Sequence, residues 1–457
     1  MVNVLGWLAS RGSKPEAFVL SSEETFDVIV VGAGCLGVAA AYYIQKNSPD
    51  KRILLVERTL AVGQANTAMS AAAVRNMFAS STNQLLTDTS IKYFEHVQEE
   101  IGYDLMFEKT GYLWLLSEEQ FNHHSVKVWM ERMKKSGISY KVYNKQELKH
   151  MIPGLNVDFT GDEEAELMHL QEVDYGLFGA DCGVLDPTRL VEYYFEEFKK
   201  ITHIKPRFGV EVKKLLLEAD PKLDLPGEPY VWQKKKVKGV ITDKGIFRAD
   251  VVVLATGAWT NQLLDPIGID SMTKGKKRQL FVIHAEDKKE LQALLEVKGF
   301  NELGCIPFTI LPSAGVYFRP QLQEHGFWIG CGDTFGREYK YIQTDDDMVP
   351  ESAYYETSMY PVLSKYFPAF QGARPVNSWA GGYCYSPDRI PFVYLECGVL
   401  VVNGASGSGI MKADALGRIA DAVYRGVSEA ELFGGKKILS NTLSIKERNV
   451  EIESVII

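Results

Sequence analysis

Three glycines, Gly32, Gly34 and Gly37, follow directly on the apolar run 28–31 with the spacing GxGxxG. Each glycine has a separate task in such a turn: the tight bend, close backbone approach to a pyrophosphate, and close packing of helix on strand. Residues 38–44 are Ala-rich and helix-forming, 47–50 break the helix, and 52–56 read as a second strand that ends in Glu57. A helix beginning at the glycines offers free N–H groups and a positive dipole end to phosphates. Glu57, about 25 residues beyond the first glycine, is placed to accept hydrogen bonds from an adenosine ribose. This order of strand, glycines, helix, strand and acid points to a dinucleotide.

A second candidate is Arg75, the only charge in the small-residue segment 61–81. Small side chains admit a flat ligand, and a lone guanidinium beside it offers a fork of donors to a carboxylate. Two further strand-to-turn units lie far along the chain. Residues 251–254 form a buried strand leaving through Ala255, Gly257 and Ala258, and 399–402 form another that enters the turn 404–409 and a helix over 410–424. A ligand across the carboxyl ends of parallel strands needs small residues at such exits. The late helix would aim its N-terminus at the ligand, where it can stabilise negative charge on a reduced ring.

The elements that must position these groups alternate in character. Helices are expected over 83–101, 121–136 and 147–151, and over 187–200 behind an Asp186 cap with Pro187 in the first turn and Val191, Tyr194, Phe195 and Phe198 on one face. Strands are expected over 105–116, 210–217, 231–242, 245–247, 279–285, 315–319 and 327–332, with a helix over 288–297 and an interrupted one over 345–367. The runs rich in alternating strands suit an antiparallel sheet distinct from the opening unit. With 457 residues and 46% hydrophobic content, the chain can bury more than one core. The formal charge of -9 argues against a nucleic-acid partner. Six scattered cysteines show no metal-ligand spacing, so no metal is expected, and they suit a reducing, cytoplasmic setting. No apolar run approaches the roughly 18 residues of a membrane span. Residues 1–24 read as an extension and 440–457 as a peripheral tail.

Taken together, DVIVVGAGCLGVAAAYYI with LLVE, the segment ending AAAVR, ADVVVLATGAW, YSPDRIP and NGASGSGIMKADALGRIAD resemble the flavin-dependent amine oxidase and dehydrogenase family that includes glycine oxidase, sarcosine oxidase and D-amino acid oxidase. The nearest likeness is to sarcosine oxidase β-subunit-like proteins. The resemblance implies an α/β fold, with a discontinuous Rossmann-like FAD-binding domain and a substrate domain built on a mixed, largely antiparallel sheet. The implied division assigns 25–102, 161–270 and 371–438 to the first, 103–160 and 271–370 to the second, and leaves 439–457 as a C-terminal tail. Gly32, Gly34, Cys35, Leu36, Glu57 and Arg58 would hold the ADP half of FAD, with Ala255 and Gly257 near it. Gly407, Gly409, Ile410 and Met411 would line the pyrimidine side of the ring. Arg75 falls where sarcosine oxidases bind a carboxylate.

The departures from that family pattern are equally specific. Met411 takes the place of a substrate-binding lysine, and its neighbour Lys412 is a candidate displaced by about 100° of helix rotation. Paired arginines of glycine oxidase fall at Tyr383 and Gly407. The flavin-linking cysteine of monomeric sarcosine oxidase falls at Gly381, so non-covalent FAD is expected. At Trp328 the sequence GFWIG lacks the lysine that serves oxygen activation, which leaves a dehydrogenase open. Tyr383 and Tyr317 are candidate pocket walls. The expected reaction is oxidation of a carboxylate-bearing amine, such as an N-methyl amino or imino acid, to an imine. Alternatives are a same-fold enzyme for 2-hydroxy acids or glycerol phosphate, for which His96, His123, His124 and His169 look too exposed, and an FAD-stabilised assembly factor. The chain would work as a homo-oligomer or as a subunit of a larger oxidoreductase.

Overall fold

A computed structural model describes residues 24–286, 288–332, 348–448 and 450–455. The expected N-terminal extension lies outside them except for Glu24. The strand Glu24–Val31 pairs in parallel with Ile53–Glu57 on one side and Gly245–Leu254 on the other, and Gly245–Leu254 pairs in parallel with Val399–Asn403. Three segments far apart in sequence therefore meet in one sheet, which Phe392–Glu396 and Arg207–Phe208 extend at its two edges. Of its five parallel strands the inner four are apolar on both faces toward their carboxyl ends, because helices and a β-meander cover them. Helix Cys35–Asn47 packs with Pro187–Ile201 and Ala413–Arg425 in a single core containing Val38, Leu190, Tyr194 and Leu416.

A second sheet of eight strands runs Asn377–Tyr385, Lys274–His284, Gly326–Cys331, Val316–Gln321, Phe308–Ile310, Tyr112–Leu116, Tyr175–Gly179 and Lys141–Asn144. Every neighbouring pair is antiparallel except Phe308–Ile310 with Tyr112–Leu116. The α/β class, with its parallel nucleotide-type sheet and a mixed, largely antiparallel partner, is as the resemblance implies. Tyr175–Gly179 and Asn377–Tyr385, strands within the segments 161–270 and 371–438, pair within this second sheet.

Local differences from the sequence reading have identifiable causes. The strands expected at 245–247 and 251–254 are one strand, because its first half forms a hairpin with Lys235–Thr242 while its second half pairs with Val399–Asn403. The helix expected over 121–136 is two, Glu118–Asn122 and His124–Lys135, broken where His123 turns extended and caps the second through Ser125 N–H. Ahead of Pro361, which has no N–H to give, the chain forms a π turn at Tyr355–Met359. The expected peripheral tail is not peripheral at its end: Glu453 is 0% exposed and bonded to residues 79–83. The expected cap of Pro187–Ile201 is present, with the Asp186 carboxylate accepting from Thr188 and Arg189 N–H at 2.7 and 3.1 Å. Asp186→Ala should lower stability to urea by about 1 kcal/mol while leaving the site intact, and equilibrium unfolding with the chromophore content of the folded fraction measures both.

Candidate active site

The carboxyl ends of the parallel strands are tied together by backbone. Gly32 N–H donates to Val56 O at 2.9 Å, and Ala255 N–H donates to Val31 O at 3.0 Å. Space beside these ties is so limited that a Cβ on Gly32 would lie 2.7 Å from Ala255 O, and one on Gly37 would lie 1.9 Å from Gly32 O. Gly32 also has φ +100°, a conformation that side chains rarely adopt. The first and third glycines are thus fixed by contact, and the helix that starts at Cys35 directs its N-terminus into the opening between strands.

That opening is a cleft of about 330 Å³, within the roughly 300–1,000 Å³ of small-molecule sites. Gly32, Gly34, Cys35, Leu36, Glu57, Arg58, Ala255, Gly257, Gly407, Gly409 and Ile410 all line it, as does Tyr383. Glu57 is buried, and its carboxylate accepts from Ala33 N–H at 2.7 Å and from Thr59 N–H and Oγ1 at 2.9 and 3.0 Å. The Arg58 guanidinium stacks on the Trp259 ring 4.5 Å from its centroid. The small-residue segment supplies two polar residues that sequence reading did not single out. Thr67 Oγ1 accepts from Cys35 N–H at 3.2 Å, and Asn66 Oδ1 accepts from Gly382 N–H at 2.8 Å. Asn403 Nδ2 donates to Gly257 O at 3.1 Å and so joins the two later turns.

A smaller chamber of about 50 Å³ adjoins this cleft and shares Ser70, Tyr383, Ser406 and Gly407 with it. One water needs roughly 10–15 Å³ by this kind of measure, so the chamber takes a group the size of a carboxylate with its neighbouring carbon. Arg75, Phe78, Met411 and a stacked aromatic series wall it. In that series Tyr112 and Phe308 are parallel with centroids 4.2 Å apart, and Phe308 and Tyr317 follow at 5.1 Å. Gly407 permits the approach of Tyr383, since a Cβ there would be 2.3 Å from the tyrosine ring. Burial raises the pKa of Tyr383, against the nearby charge of Arg278 and a hydrogen bond from Tyr317, so its phenol stays protonated at neutral pH.

Arg75 is buried against Phe78, its guanidinium carbon 3.9 Å from the ring centroid, and it donates to Met77 O and, at 2.7 Å, to Val455 O. Burial lowers its pKa and Glu453 opposes that change, but an arginine remains charged. Lys412 differs from expectation. It lines neither the cleft nor the chamber; its Nζ turns back to Ser408 Oγ at 2.6 Å, while Met411 faces the chamber. The helical rotation between adjacent residues is the reason. Burial pushes Lys412 down to about 7, with Glu453 acting against this and Arg75 reinforcing it. A second guanidinium escaped the sequence reading: Arg278 lines a recess beside the chamber with Tyr317 and Tyr383, and donates to Gly332 O and Tyr385 Oη at 2.7 and 2.8 Å. Its strand gave no signal because Lys274, Lys276 and Lys277 precede it in sequence. Among the described residues no group of three or more His, Cys, Asp or Glu side chains is arranged to hold a metal ion.

Residues 27–422 match the FAD dependent oxidoreductase family. The chain belongs to this family. It is similar to FAD-dependent oxidoreductase domain-containing protein 1 of Bos taurus, with 24% identity over 443 residues, 88% of this chain and 82% of the relative. It is also similar to mitochondrial dimethylglycine dehydrogenase of Rattus norvegicus, with 24% identity over 88% of this chain but 43% of the relative. Sarcosine oxidase subunit beta of an Arthrobacter species shares 23% identity over 54% of this chain and 55% of its own length. Among solved structures, L-proline dehydrogenase from P. horikoshii superposes with a TM-score of 0.69 and 23% identity, over 89% of this chain and 95% of that one. At that identity the superposition speaks for the fold.

The residues present fit FAD. The glycine turn presents Gly32 and Gly34 to the cleft without side chains, all three turns line that cleft, and Glu57 lies beside the first helix. One test concerns the buried lysine. A lysine held at about 7 when folded and near 10.4 unfolded binds fewer protons in the folded state between those values. Its contribution to stability is therefore least favourable below pH 7 and improves as pH rises to about 10. Lys412→Met should remove that rise, which approaches about 1.4 kcal/mol per pH unit, and denaturant unfolding of both proteins from pH 6 to 10 will show whether the difference exists.

Proposed function

We propose that this protein is a flavin-dependent dehydrogenase or oxidase of a small carboxylate-bearing amine, such as an N-methyl amino acid or an imino acid. The observation that carries the reading is Arg75, a buried guanidinium at the wall of a chamber too small for a bulky side chain and continuous with the nucleotide-type cleft. FAD, when bound without a covalent link, would accept a hydride from the carbon next to nitrogen, and the resulting imine would be hydrolysed by water. Gly32, Gly34, Cys35, Leu36, Glu57 and Arg58 would hold its adenosine diphosphate half, and Gly407, Gly409 and Ile410 its ring. At Gly381, the place of a linking cysteine, a Cβ would lie 3.0 Å from Met69 Cβ, so a side chain there would require Met69 to shift.

The chain's own groups have distinct roles in this reading. Arg75 binds the substrate carboxylate through charge-assisted hydrogen bonds. That contact sets the orientation of the breaking C–H bond, a contribution of position rather than of proton transfer. Tyr112, Phe308, Tyr317 and Tyr383 exclude water and keep the amine in an apolar setting that favours its neutral, reactive form. No base is required once the amine is neutral. Backbone N–H groups where the chain enters the turn Ile410–Lys412 stabilise negative charge at the ring.

At Trp328 the indole packs edge-on against Trp379 with centroids 4.8 Å apart, and Arg319 covers its face at 4.0 Å. An indole in place of a lysine supports an electron acceptor other than oxygen. The named subunit among the relatives supports work within a larger assembly, and six free thiols, five of them buried, support a reducing cytoplasmic setting.

Anaerobic N-methylglycine, dimethylglycine or proline should bleach the flavin of the purified protein, with slow return of colour in air. Bleaching by 2-hydroxy acids and not by amines would instead assign the alcohol chemistry, and indifference to both would assign a non-catalytic role. Arg75→Met should raise the KM for the amine at least 100-fold, about 2.7 kcal/mol of lost binding at 1.36 kcal/mol per tenfold, with flavin content unchanged. Equal KM values would remove Arg75 from the site.

A further inference from the structure

The segment 450–455 carries a structure that the sequence reading did not anticipate. Ahead of it, Arg448 clamps Asp388 of the YSPDRIP motif, Nε to Oδ2 at 2.5 Å and Nη2 to Oδ1 at 2.7 Å. Glu453 N–H then donates to Asp388 O at 3.0 Å. The Glu453 side chain is 0% exposed and accepts four hydrogen bonds: Ala79 N–H at 2.9 Å, Ser80 N–H at 3.0 Å, Asn83 Nδ2 at 3.1 Å and Val455 N–H at 2.8 Å. The first two donors, Ala79 and Ser80 N–H, lie just ahead of helix Ser81–Glu99, whose N-cap is Ser80, and the third is a side-chain amide in its first turn, so the carboxylate sits at the positive end of that helix. The fourth folds Val455 back so that its carbonyl oxygen meets Arg75 Nη2 at 2.7 Å.

We infer that this segment is a strap that positions Arg75, with Glu453 as its anchor and the Val455 carbonyl as its point of action. The inference rests on Arg75 being the carboxylate site. A guanidinium has five donors in one plane. With Met77 O and Val455 O accepting from different Nη atoms, the plane of Arg75 is fixed over Phe78 before any substrate arrives. Without the second carbonyl the side chain would be held by one backbone oxygen, at the cost of orientation rather than of charge. Coupling of this kind is reciprocal: if the strap favours an anion at Arg75, an anion at Arg75 favours the ordered strap. Glu453→Gln would remove a negative charge as well as the anchor, and the two act in opposite directions on a bound anion. Val455→Pro is charge-neutral and deletes the N–H that ties Val455 to Glu453, while also fixing φ at 455 and restricting Ser454.

The experiment uses the FAD-loaded full chain and propionate, a carboxylate without an amine, titrated by its perturbation of flavin absorbance. Val455→Pro should raise the Kd of propionate at least tenfold, with melting temperature and flavin content within the range of the parent protein. In steady state the same variant should raise the KM of N-methylglycine while kcat stays within about twofold, a split that loose folding would not produce. In the unmodified protein, saturating propionate should slow amide exchange across 450–455, a measurement that stands even where the variant does not fold. An unchanged Kd in Val455→Pro, where Arg75→Met abolishes propionate binding, overturns the strap and leaves Arg75 in place. No slowing of exchange likewise overturns the strap. Propionate binding that survives Arg75→Met overturns the carboxylate site itself, and the strap with it.

Discussion

Everything in this molecule depends on how closely the ends of its parallel strands approach each other. At Gly32, Gly37 and Ala255 the backbones of two strands and a helix come within the distance that one methyl group would occupy. That contact forces the helix Cys35–Asn47 to begin directly at the sheet edge, so its unsatisfied N–H groups face the cleft rather than solvent. It also fixes the height of the turn 404–409 through the Asn403 bond to Gly257 O. A wider spacing would separate the elements that line the cleft. The register of the sheet is held by these end contacts, since a shift of one residue would exchange the side chains packed on its two faces.

A second consequence concerns charge. The chamber places a permanent cation, Arg75, where water is scarce, and a buried charge needs partners. Its partners are two carbonyl oxygens, an aromatic face and, at longer range, Glu453. Lys412, equally buried a short way behind Ser408, meets the same low-dielectric surroundings but gives up its proton near neutral pH instead. Two adjacent basic residues thus reach opposite solutions, one retaining charge by delocalisation and carbonyl contacts, the other shedding it. The result is a fixed positive centre at Arg75 beside an aromatic wall, with the second guanidinium, Arg278, in the adjoining recess.

Which of these features the sequence revealed follows from how local each one is. The glycine turns and Glu57 were legible because their constraints act within one strand–turn–helix unit. Arg75 was legible from its isolation among small residues, and Asp186 from its place before Pro187. By contrast Tyr112, Phe308 and Arg278 belong to strands whose neighbours are chosen by long-range pairing, such as Phe308 beside Tyr112, and no spacing in the chain encodes that adjacency. The same holds for Glu453, whose partners Ala79 and Ser80 are more than 370 residues away. Lys412 lies outside the lining of the cleft and chamber for a smaller reason: proximity in sequence to a motif position does not give proximity in space on a helix, where one step turns the side chain away.

The position of Trp328 joins these strands of argument. Its indole seals against Trp379 on the second sheet, and its face is covered by Arg319, whose own guanidinium donates to Ala71 O at 2.7 Å in the segment that walls the chamber. Burial lowers the Arg319 pKa to about 10, so it stays charged at neutral pH. The guanidinium is committed to a backbone carbonyl, to Gln321 and to an indole face, and it serves to hold residue 71 where the chamber needs it. A positive charge engaged in that way is poorly placed to move toward a small diffusing oxidant. The same sheet that shapes the chamber therefore commits Arg319 to rigidity, holding residue 71 in the chamber wall.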